Sequence, residues 1–218
     1  MKVTGAILSL MPFLAAAAPT YAPTTAPTPT SSVTPTSTPT PSPTSSPAPV
    51  PTVFIAKASA PDNDEVHMQK IQAAGQKFWI GGEPATYCPT SVGDLCPPGN
   101  ETVIIGTSSL DALVPGGQMM YVEKSGSVGF TQAHSVSIPE GADIGGFTYA
   151  PGVYHDYYNY IGFGADGFMA CPSDDSDFLQ VFANFENATV PTGDVEDCIP
   201  FAAFAYHYDG PTPAWQYI

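Results

Sequence analysis

The chain has 218 residues and a formal net charge of −15, from 20 acidic side chains against five lysines, with no arginine. A phosphate-binding protein needs a basic patch whose docking releases counterions, and two-point capture of a phosphate needs the planar arginine fork, so nucleic acid and most nucleotide ligands are excluded. No G-x-x-x-x-G-K-[ST] loop and no strand-linked G-x-G-x-x-G turn argues otherwise.

Residues 1–18 open with Lys2, continue as an apolar stretch from Ala6 to Ala18, and carry small residues at Ala15 and Ala17. This is the pattern of a secretory signal peptide cleaved near Ala17 or Ala18. The alternative is a membrane anchor, but about 13 apolar residues interrupted by Pro12 fall short of the ~20 that span a bilayer. No membrane association is therefore expected once the signal is removed. Nor is a glycolipid anchor expected, since Ala214–Ile218 is not a hydrophobic tail behind a polar spacer.

Residues 19–52 contain 11 Pro, 11 Thr and 6 Ser among 34 positions, with no charge and Tyr21 as the one aromatic. So little apolar surface cannot offset the entropy of ordering, and the segment is expected to be a disordered, polyproline-rich stalk that reaches up to about 100 Å when fully extended. Hydroxyls among prolines in an exported chain are the usual composition of O-glycosylated, mucin-like stalks. An unmodified flexible spacer is the alternative.

Residues 53–218 have the size of one domain with its own core. Short apolar runs recur between Gly, Pro, Asn and Asp, and predict strands at Val53 (VFIAKA), Glu65 (EVHMQ), Lys77 (KFWIGG), Thr102 (TVIIGT), Gln118 (QMMYVE) and Gly126 (GSVGFTQ). Further strands are predicted at Gly146 (GFTYA), Tyr160 (YIGFG), Phe178 (FLQVFANF), Phe201 (FAAFAYHY) and Ala214 (AWQYI). One helical turn is suggested within Glu65–Gln76, ended by Gly75. Thirteen prolines in this part leave no room for long helices. The fold class is all-β: a compact antiparallel sandwich or barrel, with a β-trefoil as the alternative.

Cys88, Cys96, Cys171 and Cys198 all fall in this domain. An even count in an exported chain predicts disulfides, with three connectivities open; the local pairing is Cys88–Cys96 with Cys171–Cys198. Closing the second loop is worth about 3 to 4 kcal/mol in the chain-entropy view. Zinc is the alternative, but the sequence has neither a C-x-x-C nor an H-x(3)-H spacing. Two N-x-[ST] sequons place N-glycans at Asn100 and Asn187.

No motif specifies a reaction. Asp174, Asp175 and Asp177 form the densest acidic group and are read as solvated turn residues, since the spacing misses the calcium-loop pattern and a glycosidase pair needs a set separation across the sugar bond. His67, His134, His155 and His207 are scattered, and no G-x-S-x-G nucleophile context accompanies them. No catalytic residue, metal or cofactor is assigned. The aromatic run at Tyr154, Tyr157, Tyr158 and Tyr160 offers amphipathic rings for stacking on sugars; the alternative is that half of them pack into the core.

The blocks KFWIGGEPATYCP, LCPPGNETV, VPGGQMMYVEKSGSVGFTQAHSVSIPEGA, GFTYAPG, GFMACP, QVFAN and AWQYI are linked in this order. Together they resemble the fungal secreted IgE-binding-protein group, related to the PhiA-type cell-wall proteins of filamentous ascomycetes. The resemblance covers residues 53–218 and includes Cys88, Cys96, Cys171 and Cys198; the stalk and the YHDYYNY segment stand outside it. It implies a secreted or wall-associated glycoprotein, antigenic in some members and linked in the PhiA branch to asexual spore structures, without enzymatic residues to carry over. The expectation is a secreted, non-enzymatic cell-wall or surface glycoprotein with a structural or antigenic role and with wall polysaccharide as its candidate partner. A glycan-binding or host-interacting module is the second hypothesis, and a secreted glycoside hydrolase the third.

Overall fold

The computed structural model describes residues 52–218. The expected signal peptide at 1–18 and the stalk expected at 19–52, all but its last residue, lie outside the described residues.

Strand β1, Val53–Ser59, shows why the domain is built of strands. Phe54, Ala56 and Ala58 are buried while the residues between them are half-buried, the period of two that a one-sided strand needs. It pairs along its length with β13, Ile199–His207, where Phe201, Ala203 and Ala205 point inward. The remaining strands are β2 (Ile71–Ala74), β3 (Lys77–Ile80), β4 (Thr86–Tyr87), β5 (Ile104–Ile105), β6 (Ser109–Leu110) and β7 (Gln118–Val122). They continue with β8 (Val128–Phe130), β9 (Phe147–Ala150), β10 (Asp156–Tyr160), β11 (Phe168–Ser173), β12 (Ser176–Ala183) and β14 (Gln216–Tyr217).

Hydrogen-bonded neighbours run β1-β5-β6-β7-β8-β3-β12-β11-β13, and β13 pairs back onto β1. The all-β prediction holds, and this path closes on itself as an antiparallel barrel, which removes most free edges. The circuit contains no three-fold repeat of a four-strand unit, so the trefoil alternative is not realised. β10 and β9 extend from β13 as a side ribbon, and β14 pairs only with β4.

The interior is one continuous cluster that includes Phe54, Phe78, Phe130, Phe147, Tyr158, Phe168 and Phe201. A smaller one gathers Met169, Phe182 and Val190 around Cys171 and Cys198. Both local disulfides form: Cys88–Cys96 with a Cα–Cα distance of 6.0 Å and Cys171–Cys198 with 4.3 Å. No described helix is long and apolar enough to cross a membrane.

Two predicted strands are absent. Glu65–Gln69 is part of a single turn in which the His67 N–H donates to the Asn63 carbonyl at 2.8 Å, and Asn63 Oδ1 accepts from the N–H groups of Glu65 and Val66. A short side chain that caps the backbone this well outcompetes strand pairing. The suggested helix does not continue, because Ile71–Ala74 extends as β2 and turns into β3 through Gly75 and Gln76, with φ of 63° and 60°. Two consecutive positive φ values make the tight hairpin turn that glycine favours. The second absent strand, predicted from Tyr160, is instead a short 3₁₀ turn over Gly162–Gly164.

Candidate functional site

β10 alternates, and its alternation divides the tyrosine run. Tyr158 and Tyr160 point inward with 3% and 0% exposure, whereas Tyr157 is 47% exposed and Tyr154, in the loop before the strand, 91%. The expected stacking face therefore loses Tyr158 and Tyr160 to the core. The Tyr158 ring lies parallel to Phe147 at 5.8 Å and 5.1 Å from Phe54, and its hydroxyl donates to the Thr107 carbonyl at 2.7 Å. Burial raises the Tyr158 phenol well above its ordinary pKa. Tyr160 donates to Asp143 at 2.8 Å, and burial followed by that carboxylate raises its phenol too.

Outside, the pairing registers assemble a different aromatic strip. Phe204 on β13 stands between Lys57 of β1 and Tyr157 of β10, and Tyr206 stands opposite Ile55. The Tyr157 and Phe204 rings meet edge-on at 5.4 Å. His155 stacks on Phe204 at 5.0 Å and lies 5.4 Å from Tyr206, while Lys57 Nζ sits 5.0 Å from the Tyr206 ring centre. The loop leading to β10 is drawn back by Asp156, which accepts from the Tyr149 hydroxyl and from the Gly152 N–H. Burial, then the Asp156 carboxylate, pushes the Tyr149 phenol up to about 12.

Beside the strip, β13 changes partner: Ala203–Ala205 pair with β10 and Ile199–Phe201 with β11. An open groove of about 820 Å³ lies at this switch. Tyr157 lines it, together with the amides of Asn63, Asn159 and Asn184 and the carboxylates of Asp62 and Asp166. Asn159 and Asn63 each turn their side-chain oxygen to backbone N–H groups, at 2.8 Å for Tyr160 and 3.0 Å for Glu65. Their amide nitrogens have no partner among the described residues. An exposed ring at the edge can stack on an apolar face, and the amide donors and carboxylate acceptors beside it can hydrogen-bond polar groups of a ligand. Of these residues the sequence singled out Tyr157 for the purpose.

A family model for PhiA-like secreted proteins matches residues 54–218, the span of the barrel. The chain belongs to the PhiA-like secreted proteins. An uncharacterized secreted protein of Arthroderma benhamiae (strain ATCC MYA-4681 / CBS 112371) is 55% identical over 162 residues, 73% of this chain and 83% of that relative. No solved structure matches. The family and the relative are both secreted, and this PhiA-like protein is a secreted one, as expected from its sequence.

The other candidate residues of this PhiA-like protein lie apart from the groove. Asp174, Asp175 and Asp177 are exposed in and beside the β11–β12 turn, with Asp175 receiving Lys77 at 3.3 Å. Among the described residues no three His, Cys, Asp or Glu side chains converge as metal ligands, and no histidine hydrogen-bonds a serine hydroxyl. Asn187 and Thr189 of the second sequon are both exposed. In the first, Asn100 is exposed but Thr102 is buried with its hydroxyl accepting from the Ala73 N–H at 2.9 Å.

Proposed function

We propose that this PhiA-like protein is a non-catalytic, secreted glycoprotein of the fungal cell wall that holds wall polysaccharide in the groove at the β13 switch and on the adjoining aromatic strip. The observation that carries this reading is the continuity of Tyr157, which both lines the groove and abuts Phe204 on the strip. A sugar chain presents one apolar and several hydroxyl faces, and this surface offers rings for the first and amides and carboxylates for the second. The test is retention on isolated fungal walls of the full secreted chain against the double variant Tyr157→Ala, Phe204→Ala. Each stacking contact is worth about 1 kcal/mol, so loss of both should weaken retention about thirtyfold. Equal retention, with both proteins folded, contradicts the proposal.

A second reading, a secreted glycoside hydrolase, is favoured by one observation: Asp62 and Asp166 line the same groove. It requires that wall polysaccharide release reducing ends and that Asp166→Asn abolish the release. Binding without turnover supports the first reading.

A further inference from the structure

The polar groups of the groove do not treat all polysaccharides alike. Its charged lining consists of Asp62 and Asp166, with no lysine and no histidine. Both carboxylates are on exposed residues, and neither side chain accepts a hydrogen bond from the described residues. Asp166 is held in place through its backbone, its N–H donating to the Asn184 carbonyl at 3.0 Å while Asn184 Nδ2 donates to the Asp166 carbonyl at 3.3 Å. Carboxylates without a lysine or histidine beside them in the groove are acceptors for a positively charged ligand group. The charge of the molecule reinforces them, because 20 acidic residues and only four lysines lie from residue 53 onward. Three of those lysines are committed elsewhere: Lys70 to Glu101, Lys77 to Asp175, and Lys57 onto Tyr206, further along β13 than the groove.

The amide nitrogens of Asn63 and Asn159 add the complementary function, since a free amide N–H₂ donates to a carbonyl oxygen. Resting on the polysaccharide-binding reading above, we infer that the groove selects a polymer of 2-amino sugars in partly de-N-acetylated form. The ammonium groups would face Asp62 and Asp166, the remaining acetamide carbonyls would accept from Asn63 and Asn159, and a sugar ring would lie on Tyr157. A neutral glucan offers its rings and hydroxyls but no charge to face the carboxylates, and an anionic polysaccharide is repelled.

The experiment measures binding of the full secreted chain to four probes at low salt: chitosan oligosaccharide, fully N-acetylated chitin oligosaccharide, soluble β-1,3-glucan and polylysine. The same series is run with Tyr157→Ala and with the double variant Asp62→Asn, Asp166→Asn, whose changes fall on exposed residues. Chitosan is expected to bind about tenfold more tightly than chitin oligosaccharide or glucan, with the preference weakening as salt is raised. The double variant should bind chitosan about three- to tenfold more weakly, the sum of two exposed charge pairs. Tyr157→Ala should weaken chitosan but not polylysine. Equal affinity for glucan and chitosan, or unchanged chitosan binding by the double variant, overturns the amino-sugar assignment while leaving the groove reading intact. Polylysine binding as tight as chitosan overturns it in favour of bulk charge. Failure to bind any glycan overturns the groove reading and this assignment together.

Discussion

The Asp143 carboxylate accepts from the Gly145 N–H at 2.9 Å and from the Tyr160 hydroxyl at 2.8 Å. It has room because two neighbours lack a side chain: a Cβ at Gly146 or Gly162 would come within 2.7 or 2.3 Å of Asp143 Oδ2. The Gly145 hydrogen bond first, and the Tyr160 hydroxyl after it against the opposing effect of burial, hold the Asp143 pKa below its ordinary value. A folded-state pKa below the unfolded one, about 3.9, stabilises the fold above that pH and stops doing so as pH falls through the folded value. Asp143→Asn should therefore lower the melting temperature at pH 6 and make its decline between pH 5 and pH 3 shallower than in the wild type. Parallel melting curves against pH would show that Asp143 contributes nothing to acid sensitivity. The identity of the tyrosines as a dense aromatic run was plain in the sequence, but which of them face water was fixed by β10 pairing, which buries Tyr158 and leaves Tyr157 outside.

Among the elements, the two-residue strand β14 is held by more than its ladder. Gln118 of β7 is 3% exposed; its Nε2 donates to the carbonyls of Thr131 and Tyr217 at 2.9 and 3.0 Å, and its Oε1 accepts from the Tyr217 N–H at 2.8 Å. The Tyr217 hydroxyl in turn donates to the Glu101 carbonyl and accepts from the Val103 N–H. Gln118→Ala strands these buried backbone groups and should cost about 3 kcal/mol in urea unfolding. A loss below about 0.5 kcal/mol would mean that water replaces the amide. Strand β1 was legible because alternation and β-branched or aromatic residues coincide there, and β7 and β12 as short apolar runs with aromatic residues. Strands β4, β5, β6 and β14 have two residues each, too few for any period: β5 and β6 are positioned by the longer β1 and β7, while β4 and β14 pair only with each other, and β5 and β14 alone of the four fall within predicted runs. The aromatic strip is hidden in the sequence for another reason. In FAAFAYHY the large rings would ordinarily be assigned to the core, yet Ala203 and Ala205 face inward and Phe204 and Tyr206 outward. Small residues suffice inside because Phe54, Tyr158 and Phe168 already fill that space. The Ala-aromatic alternation was the available signal, and its phase needed the register.

At the scale of the molecule, the barrel carries a net charge of −16, from 20 acids against four lysines, and a sequence pI near 4.1 keeps it anionic in mildly acidic surroundings. This charge favours solubility and opposes self-association, and it disfavours the approach of an anionic ligand. Membership of the PhiA-like family was legible from linked blocks distributed along the barrel, while the site was not, because Asp62, Asn63, Tyr157, Asn159 and Asp166 come from separate segments that meet only where β13 exchanges partners. That meeting point is the proposed polysaccharide site, and amide hydrogen exchange of the full chain, with and without solubilised wall oligosaccharides, tests the proposal most directly. Protection is predicted at residues 59–63, at 157–159 and in the loop at 161–167, with little change in the Cys88–Cys96 loop. Protection confined to that disulfide loop, or no protection anywhere at saturating oligosaccharide, would contradict it.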